Sequence, residues 1–332
     1  MQPPTCRWLD RTHAGDCLGL LERMRSDGVR IQTCVTSPPY FGLRSYLPPD
    51  HPDKHLEIGA CRTPEQYIGR LVRVFRAVRD LLADDGTLWI VIGDSYAAPR
   101  TYQAASSKGG AKHGTAQAAA GAIWPAGDVK AKDMLGIPWM LAFALRRDGW
   151  YLRQDLIWHK PNTMPESVAD RCTRSHEHIF LLSKRPRYYF DQAAIREPST
   201  DPRGPGNLRP VRQPPGERAT SANANLRGGL HRIGARALRN KRDVWTVATR
   251  PFRDSHFAVF PDRLIVPCIL AGSRAGDTVL DPFIGSGTTG AVALRLQRHF
   301  IGCELVRSFI DQQRLHCRTS ARVSTTLMEI AT

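Results

Sequence analysis

Asp281-Pro282-Phe283-Ile284-Gly285-Ser286-Gly287-Thr288-Thr289-Gly290 is the stretch on which the reading of the whole chain turns. A short apolar run, Thr278–Leu280, precedes it, and a helical pattern begins near Thr288. A strand, a glycine-rich turn and a helix in that order belong to α/β folds, in which free backbone N–H groups at the helix start face a ligand. Gly285, Gly287 and Gly290 satisfy the G-x-G-x-x-G spacing of dinucleotide sites, a match that specifies little alone. In a dehydrogenase the apolar strand would run straight into the first glycine. Here Asp281-Pro282-Phe283 intervenes, and an acid at the strand tip repels a pyrophosphate but suits a cationic ligand. A Walker loop is excluded because no Lys follows the last glycine.

Working outward, Phe300–Cys303 reads as the next strand and ends in Glu304, nineteen residues after Gly285. An acid about 20 residues beyond such a loop is placed to accept both hydroxyls of a ribose. Upstream, Ile31–Thr36 reads as a buried strand. Pro64 opens a helix with Tyr67, Leu71, Val74, Phe75, Val78 and Leu82 at helical spacing, and Asp84-Asp85-Gly86 ends it before a strand over Thr87–Ile92. A helix over Leu135–Leu145, strands over Tyr151–Trp158 and Glu177–Ser183, and helices over Asp262–Ala271 and Val306–Cys317 complete the pattern. Strands alternating with helices predict an α/β fold with a mainly parallel sheet. Residues 97–132, rich in Ala, Gly, Ser and Lys without periodicity, read as a mobile loop, and the Pro-, Gly-, Asn- and Arg-rich stretch from Pro186 reads as a separate lobe.

The second loop at a strand tip is Thr36-Ser37-Pro38-Pro39-Tyr40. An exocyclic base amine is a weak nucleophile because its lone pair is delocalised into the ring. It needs acceptors that hold its hydrogens and stabilise the positive charge that develops on attack. The Ser37 hydroxyl and the Pro38 carbonyl can supply them, the two prolines stiffen the turn, and Tyr40 offers a face for an unstacked base. A rigid Pro-Pro turn carrying a core tyrosine is the plainer alternative for these four residues.

The chain has 332 residues and a formal net charge of +16, which favours a polyanionic partner. Residues 201–250 hold eleven Lys or Arg against three Asp or Glu. Arg203, Arg209, Arg212, Arg227, Arg232, Arg236, Arg239, Lys241 and Arg242 are the candidate contacts to nucleic acid, with His159 and Lys160 from Trp158-His159-Lys160-Pro161-Asn162. The eight cysteines include no C-x-x-C pair, which argues against a zinc cluster or a disulfide scaffold; most are expected as buried thiols. His176 and His178 alternate along a strand with no third ligand, so a structural role is expected and no metal site. No apolar run approaches the length of a membrane span, and the N-terminus lacks a signal-peptide pattern, so a cytoplasmic, nucleoid-associated protein is expected.

The two loops together resemble a family: the permuted, beta-type DNA amino-methyltransferases of bacterial restriction-modification or orphan methylation systems. In that family a (D/N/S)-P-P-(Y/F) motif precedes a D-P-F-x-G-S-G-T-T loop, with target recognition between them, and Ser37–Tyr40, the basic lobe and Asp281–Thr289 follow that order. Gly15-Asp16-Cys17 resembles the family's N-terminal acidic motif, Trp89–Ser95 the strand after the catalytic one, and His256–Pro261 the motif around the cofactor's methionine end. The resemblance implies a Rossmann-like, seven-stranded methyltransferase sheet, circularly permuted, with an inserted target-recognition region. It implies a catalytic half over 1–185, target recognition over 186–245 and a cofactor-binding half over 246–332. S-adenosylmethionine is the implied cofactor, held by Asp16, Cys17, Thr36, Phe260, Asp281, Pro282, Phe283, Gly285, Ser286, Gly287, Thr288, Thr289 and Glu304. Ser37, Pro38, Pro39 and Tyr40 are the implied catalytic residues. Ser at the first motif position is commoner among cytosine-N4 enzymes and Asp among adenine-N6 enzymes, so cytosine is expected and adenine is the alternative. Duplex DNA is the implied partner; a cognate restriction endonuclease and a homodimer are left open.

Three other readings compete. A cytosine carbon-5 enzyme needs a Cys nucleophile after proline, and Pro267-Cys268 lies in an apolar stretch suited to a buried helix. A basic DNA-binding protein without turnover would lack affinity for the cofactor. A protein glutamine methyltransferase carries Asn first in the motif and places its glycine loop ahead of the turn, and both features are absent here.

Overall fold

The computed structural model describes residues 4–43, 45–97, 129–199, 237–249, 260–311 and 313. The expectations for Arg203, Arg209, Arg212, Arg227, Arg232, Arg236, His256–Val259, most of the 97–132 loop and the end of the C-terminal helix fall outside those residues. The chain divides into two compact units, one of Met1–Phe190 with Asp243–Thr332 and one of Asp191–Arg242.

The larger unit is built on one sheet. Its strands are β1 (Arg11–Ala14), β2 (Ile31–Thr36), β3 (Leu82–Ile92), β4 (Tyr151–His159), β5 (His176–Ser183), β8 (Val244–Thr246), β9 (Thr278–Asp281) and β10 (His299–Glu304), in the spatial order β1-β10-β9-β2-β3-β5-β4-β8. The five from β1 to β3 are parallel, β5 runs antiparallel between β3 and β4, and β8 pairs parallel to β4. Every residue of β2 is buried, as expected of a central parallel strand covered on both faces. The late strands β9 and β10 lie between the early strands β1 and β2, so spatial order and chain order differ.

The sheet has eight described strands where seven were expected. The addition is three residues long: Val244–Trp245–Thr246 pair with Ile157–His159 and cover the outer edge of β4. The Trp158 indole N–H donates to the Val247 carbonyl (2.8 Å), and the Asn162 side chain joins Thr249 through both its amide atoms, pinning this return. An unpaired edge exposes a row of backbone donors and acceptors, and this strand satisfies them.

Helices pack on the sheet where their apolar spacing predicts. In α1 (Cys17–Ser26), Asp16 caps the start by accepting the Gly19 N–H at 3.0 Å. In α2 (Pro64–Leu81), Thr63 caps by accepting from the Gln66 N–H, and Tyr67, Leu71, Val74, Phe75 and Val78 are all fully buried. Asp84-Asp85-Gly86 does not end α2; it lies inside β3. Ile31 pairs with Leu82 and Thr33 with Thr87, so the register jumps there and the acidic turn bulges out of the strand. Asp94, just beyond β3, accepts the Gly136 and Ile137 N–H groups and thereby caps α3 (Ile137–Arg147). The flanks of the 97–132 loop meet: Ala97 exchanges backbone hydrogen bonds with Lys132 and Asp133. The remaining helices are α4 (Asp262–Gly272) and α5 (Thr288–Arg295), and residues 307–311 are helical. Cys268 is fully buried in α4, as are Cys34 and Cys303 in their own strands, and Cys17 is buried at the start of α1. Among the described residues no helix is long and apolar enough to cross a membrane.

In the smaller unit, β6 (Glu197–Pro198) and β7 (Leu238–Arg239) pair antiparallel, and Glu197 accepts from both Arg239 (2.9 Å) and Arg242 (2.8 Å).

Candidate functional site

β2 and β9 are neighbours, and their chains part in opposite directions. β2 continues through α2 to β3, whereas β9 continues through α5 to β10. Loops that diverge from the carboxyl ends of adjacent strands leave a crevice, the usual ligand site of an open α/β sheet. A pocket occupies it. Ser37, Pro38, Pro39 and Tyr40 line it from the β2 loop, Asp281–Ser286 and Thr288 from the β9 loop, Gly15–Cys17 from the β1 loop, and Cys303–Val306 with Phe309 from the β10 end. Phe260 and residues of the 43–59 stretch, among them Tyr46 and Glu57, complete the wall. Segments far apart in sequence thus meet in one place.

The Pro-Pro turn is held from outside. The Tyr67 hydroxyl of α2 donates to the Pro39 carbonyl at 2.8 Å, and Gly59 sits so close that a Cβ there would lie 3.0 Å from the Tyr40 carbonyl oxygen. The Tyr40 hydroxyl donates to Glu177 Oε2 of β5 at 2.5 Å. Burial, then the Glu177 carboxylate, push the Tyr40 phenol well above its ordinary range.

Asp281 differs from its sequence expectation. It is 1% exposed, and its carboxylate is spoken for: Oδ1 accepts from the Thr36 hydroxyl (2.6 Å) and the Phe283 N–H (3.0 Å), and Oδ2 from the Thr289 hydroxyl (2.6 Å). It therefore welds the two loops together rather than offering its charge to a ligand. Burial raises its carboxyl to about 6, against the pull of those three donors. Thr36 and Thr289, expected at the ligand, stand behind Asp281 and do not line the pocket. Gly287 is not at the wall either. It starts α5 at φ 86°, and a Cβ there would meet Gln313 at 3.0 Å, so glycine serves the backbone. The third glycine of the loop serves packing, since a Cβ at Gly290 would lie 2.7 Å from the Phe300 ring.

Glu304 does face the pocket. Its Oε2 accepts the Gly285 N–H at 2.9 Å and its Oε1 the Val306 N–H at 2.8 Å, so the carboxylate is fixed at the loop mouth. Burial raises it to about 7, opposed by the backbone donors at Val306 and Gly285.

Sequence reasoning missed Glu57 and its loop. Glu57 is buried, accepts from the Tyr46 (2.7 Å) and Leu47 (2.5 Å) N–H groups, the Ser45 hydroxyl (3.0 Å) and the Lys54 ammonium (2.8 Å), and so folds residues 45–57 against the pocket. Tyr46 of that loop meets Phe309 edge-on at 5.9 Å between ring centres. No local motif marks Glu57, because its donors become neighbours only when the loop closes.

For His159 and Lys160 the sequence allows two roles, shaping the pocket or touching a phosphate. The Lys160 ammonium is paired with Glu177, lies 4.2 Å from the centre of the Trp158 ring and is 17% exposed, turned into the fold rather than toward a phosphate. His159 Nδ1 faces the Thr246 hydroxyl at 3.2 Å. Arg239 and Arg242 engage Glu197 as described above, and Lys241 lies between them in sequence. His178 Nδ1 contacts Asp155 at 2.9 Å.

The pocket's chemistry is selective. Asp16, Glu57, Asp281 and Glu304 line it, whereas no Lys or Arg does among the described residues, in a chain of net charge +16. A pyrophosphate would find no cation there among the described residues. A ligand with an apolar ring, a diol and a positive charge would find Phe283, Ile284, Leu305 and Phe309 for the ring and the carboxylates of Asp16 and Glu304 for the rest.

Comparison with known proteins bears on the same residues. Residues 31–314 match the model of the N6/N4 methyltransferases, described as DNA methylase. The type II methyltransferase M.Cfr9I of Citrobacter freundii is 43% identical over 298 residues, 90% of this chain and 84% of that protein. Among solved structures, TTHA0409 of Thermus thermophilus, complexed with S-adenosyl-L-methionine, superposes with a TM-score of 0.52 at 23% identity, covering 93% of this chain and 95% of that one. The PvuII DNA methyltransferase, described as cytosine-N4-specific, superposes with a TM-score of 0.56 at 16% identity, covering 91% and 84%. These two likenesses are of fold.

Proposed function

This chain belongs to the N6/N4 DNA methylase family, and from that premise we propose that it transfers the methyl group of S-adenosylmethionine to N4 of a cytosine turned out of duplex DNA. The observation that carries the proposal is that the Ser-Pro-Pro-Tyr turn and the glycine-rich loop wall one acid-lined pocket free of described Lys and Arg. Such a pocket fits S-adenosylmethionine better than a dinucleotide. Glu304 would accept its ribose hydroxyls, Asp16 would lie at the adenine, Phe283, Ile284 and Phe309 would supply apolar surface, and Phe260 and Pro282 would border the methionine end. When bound, the cofactor supplies a methyl group made electrophilic by its positive sulfur.

The protein's part is orientation. Ser37 and the Pro38 carbonyl hold the two hydrogens of the target amine, which directs its lone pair and steadies the charge it acquires. Pro38 and Pro39 fix that geometry before the base arrives, so no reorganisation is needed at the moment of reaction. Tyr40 provides the face on which the base rests. No covalent enzyme intermediate is required, and Cys268, buried in α4, takes no part. The choice of cytosine over adenine follows from Ser37, where the adenine-N6 enzymes more often carry Asp. In the same proposal the late strands β9 and β10 are the permuted first half of the methyltransferase sheet. The basic unit Asp191–Arg242 reads the target, with phosphate contacts setting register.

The test is direct. Duplex DNA is incubated with the protein and methyl-labelled S-adenosylmethionine, digested to nucleosides, and the labelled species separated. Label in N4-methylcytosine is expected. Label in N6-methyladenine overturns the cytosine assignment, and label in neither overturns the proposal.

A further inference from the structure

Lys160, Glu177 and Tyr40 form a chain of contacts running from β4 through β5 to the Pro-Pro turn. Glu177 stands opposite Trp158 in the β4–β5 pairing, and the Lys160 N–H donates to the Ser175 carbonyl at 2.7 Å, so both charged side chains project from the same end of the hairpin. The Lys160 ammonium binds Glu177 Oε1, and Glu177 Oε2 accepts the Tyr40 hydroxyl at 2.5 Å. The two charged side chains are 17% and 13% exposed. Gly93 closes the remaining side: a Cβ there would lie 2.9 Å from Tyr40 Cε2 and 3.3 Å from Glu177 Cδ. The tyrosine ring is therefore held at its hydroxyl and against its edge.

A buried ion pair is weak support for stability, because desolvating both charges consumes most of their attraction. What this pair does supply is direction. A carboxylate fixed by an ammonium gives the phenol a strong, single-geometry acceptor, and Tyr40 then cannot rotate away from the pocket it lines. We propose that Glu177, anchored by Lys160, is a positioning residue that sets the ring plane of Tyr40 for the extruded base. The assignment rests on the methyl-transfer function proposed above and adds to it two residues outside either motif. It also gives Lys160 a role different from a phosphate contact.

The experiment uses the full-length protein, S-adenosylmethionine and an unmethylated duplex carrying the sequence that the labelling experiment above shows it to modify. Glu177→Ala and Tyr40→Phe, which removes only the hydroxyl, should each lower kcat roughly ten- to a hundredfold. Cofactor affinity, measured by calorimetry, should stay within about twofold, since neither change touches the cofactor's side of the pocket. The double variant should be no slower than Tyr40→Phe, which removes the Glu177 contact together with the one to Ser37. Glu177→Gln keeps an acceptor for the hydroxyl and should recover most of the activity. Effects that multiply in the double variant, a Tyr40→Phe protein with wild-type kcat, or a parallel loss of cofactor affinity would each overturn the assignment. If Glu177→Ala does not fold, Tyr40→Phe alone decides by the same kcat and affinity criteria. A wild-type protein that methylates no DNA overturns the function itself, and the assignment with it; an active wild type with indifferent variants overturns the assignment alone.

Discussion

The Thr36 hydroxyl donates to Asp281 Oδ1 at 2.6 Å, although 245 positions separate the two residues. Thr36 is the last residue of β2 and Asp281 the last of β9, so this bond ties together the two strand tips from which the catalytic turn and the cofactor loop depart. Thr289, at the start of α5, holds the other carboxylate oxygen and adds the helix to the same junction. The distance between base and methyl donor in the proposed reaction is thereby set by a buried side-chain contact rather than by either loop alone.

Thr36→Val removes that donor while keeping shape. It should cost about 1–3 kcal/mol of stability, because a buried carboxylate loses a hydrogen bond it cannot replace with water. It should also lower kcat by roughly tenfold or more as the loops lose register. Denaturant unfolding and steady-state methylation check the two effects; a variant of wild-type stability and rate would show the junction to be dispensable.

Asp281 makes stability depend on pH. Its folded-state value is about 6, above the 3.8 of an ordinary Asp, so the folded state holds the proton more tightly than the unfolded one. The stability it contributes is therefore present at low pH and is lost as pH rises through about 6. Relative to Asp281→Asn, the wild type should gain up to roughly 3 kcal/mol between pH 7 and pH 4. Unfolding free energies of both proteins across that range measure the slope, and a constant difference would contradict it.

Glu304 should make cofactor binding depend on pH in the other direction. A diol donates best to a carboxylate, and Glu304 titrates near 7, so below that value binding must first displace a proton. Affinity for S-adenosylmethionine should rise from pH 6 to pH 8 in the wild type, and should be weaker and flat across this range in Glu304→Gln. Calorimetric titrations at several pH values provide the comparison.

Ser37→Ala should separate binding from chemistry. The hydroxyl, which also meets the Tyr40 phenol, is proposed to act on the target amine and not on the cofactor, so kcat should fall by roughly a hundredfold or more while cofactor affinity changes less than about twofold. Asp281→Ala should weaken cofactor binding by disordering the loop, and should lower kcat as well, since it also breaks the bond to Thr36. Affinity lost in Ser37→Ala but kept in Asp281→Ala would mean that the two loops have been assigned to the wrong partners.

Much of this was legible in the chain itself, because the signals involved are local. Ile31–Thr36 announces a buried strand through six consecutive residues, Pro64 announces a helix start, and Asp281–Gly287 announces a glycine turn ahead of a helix. The stiffness of Ser37-Pro38-Pro39 and the alternation of strands with helices are likewise written over a few neighbouring positions. Asp84-Asp85-Gly86 misled because a turn signature cannot distinguish a helix end from a bulge; the partner strand makes that choice.

Only the tertiary structure decided which distant groups meet. Strand order puts Thr36 against Asp281, hairpin register puts Glu177 beside Tyr40 and Lys160, and loop closure surrounds Glu57 with donors. The amino-acid sequence determined what each segment would become, because periodicity and turn chemistry act over a few residues. The roles of Asp281 as a weld and of Lys160 as an anchor depended on separations of a few ångströms across the sheet, which packing sets and no local pattern encodes.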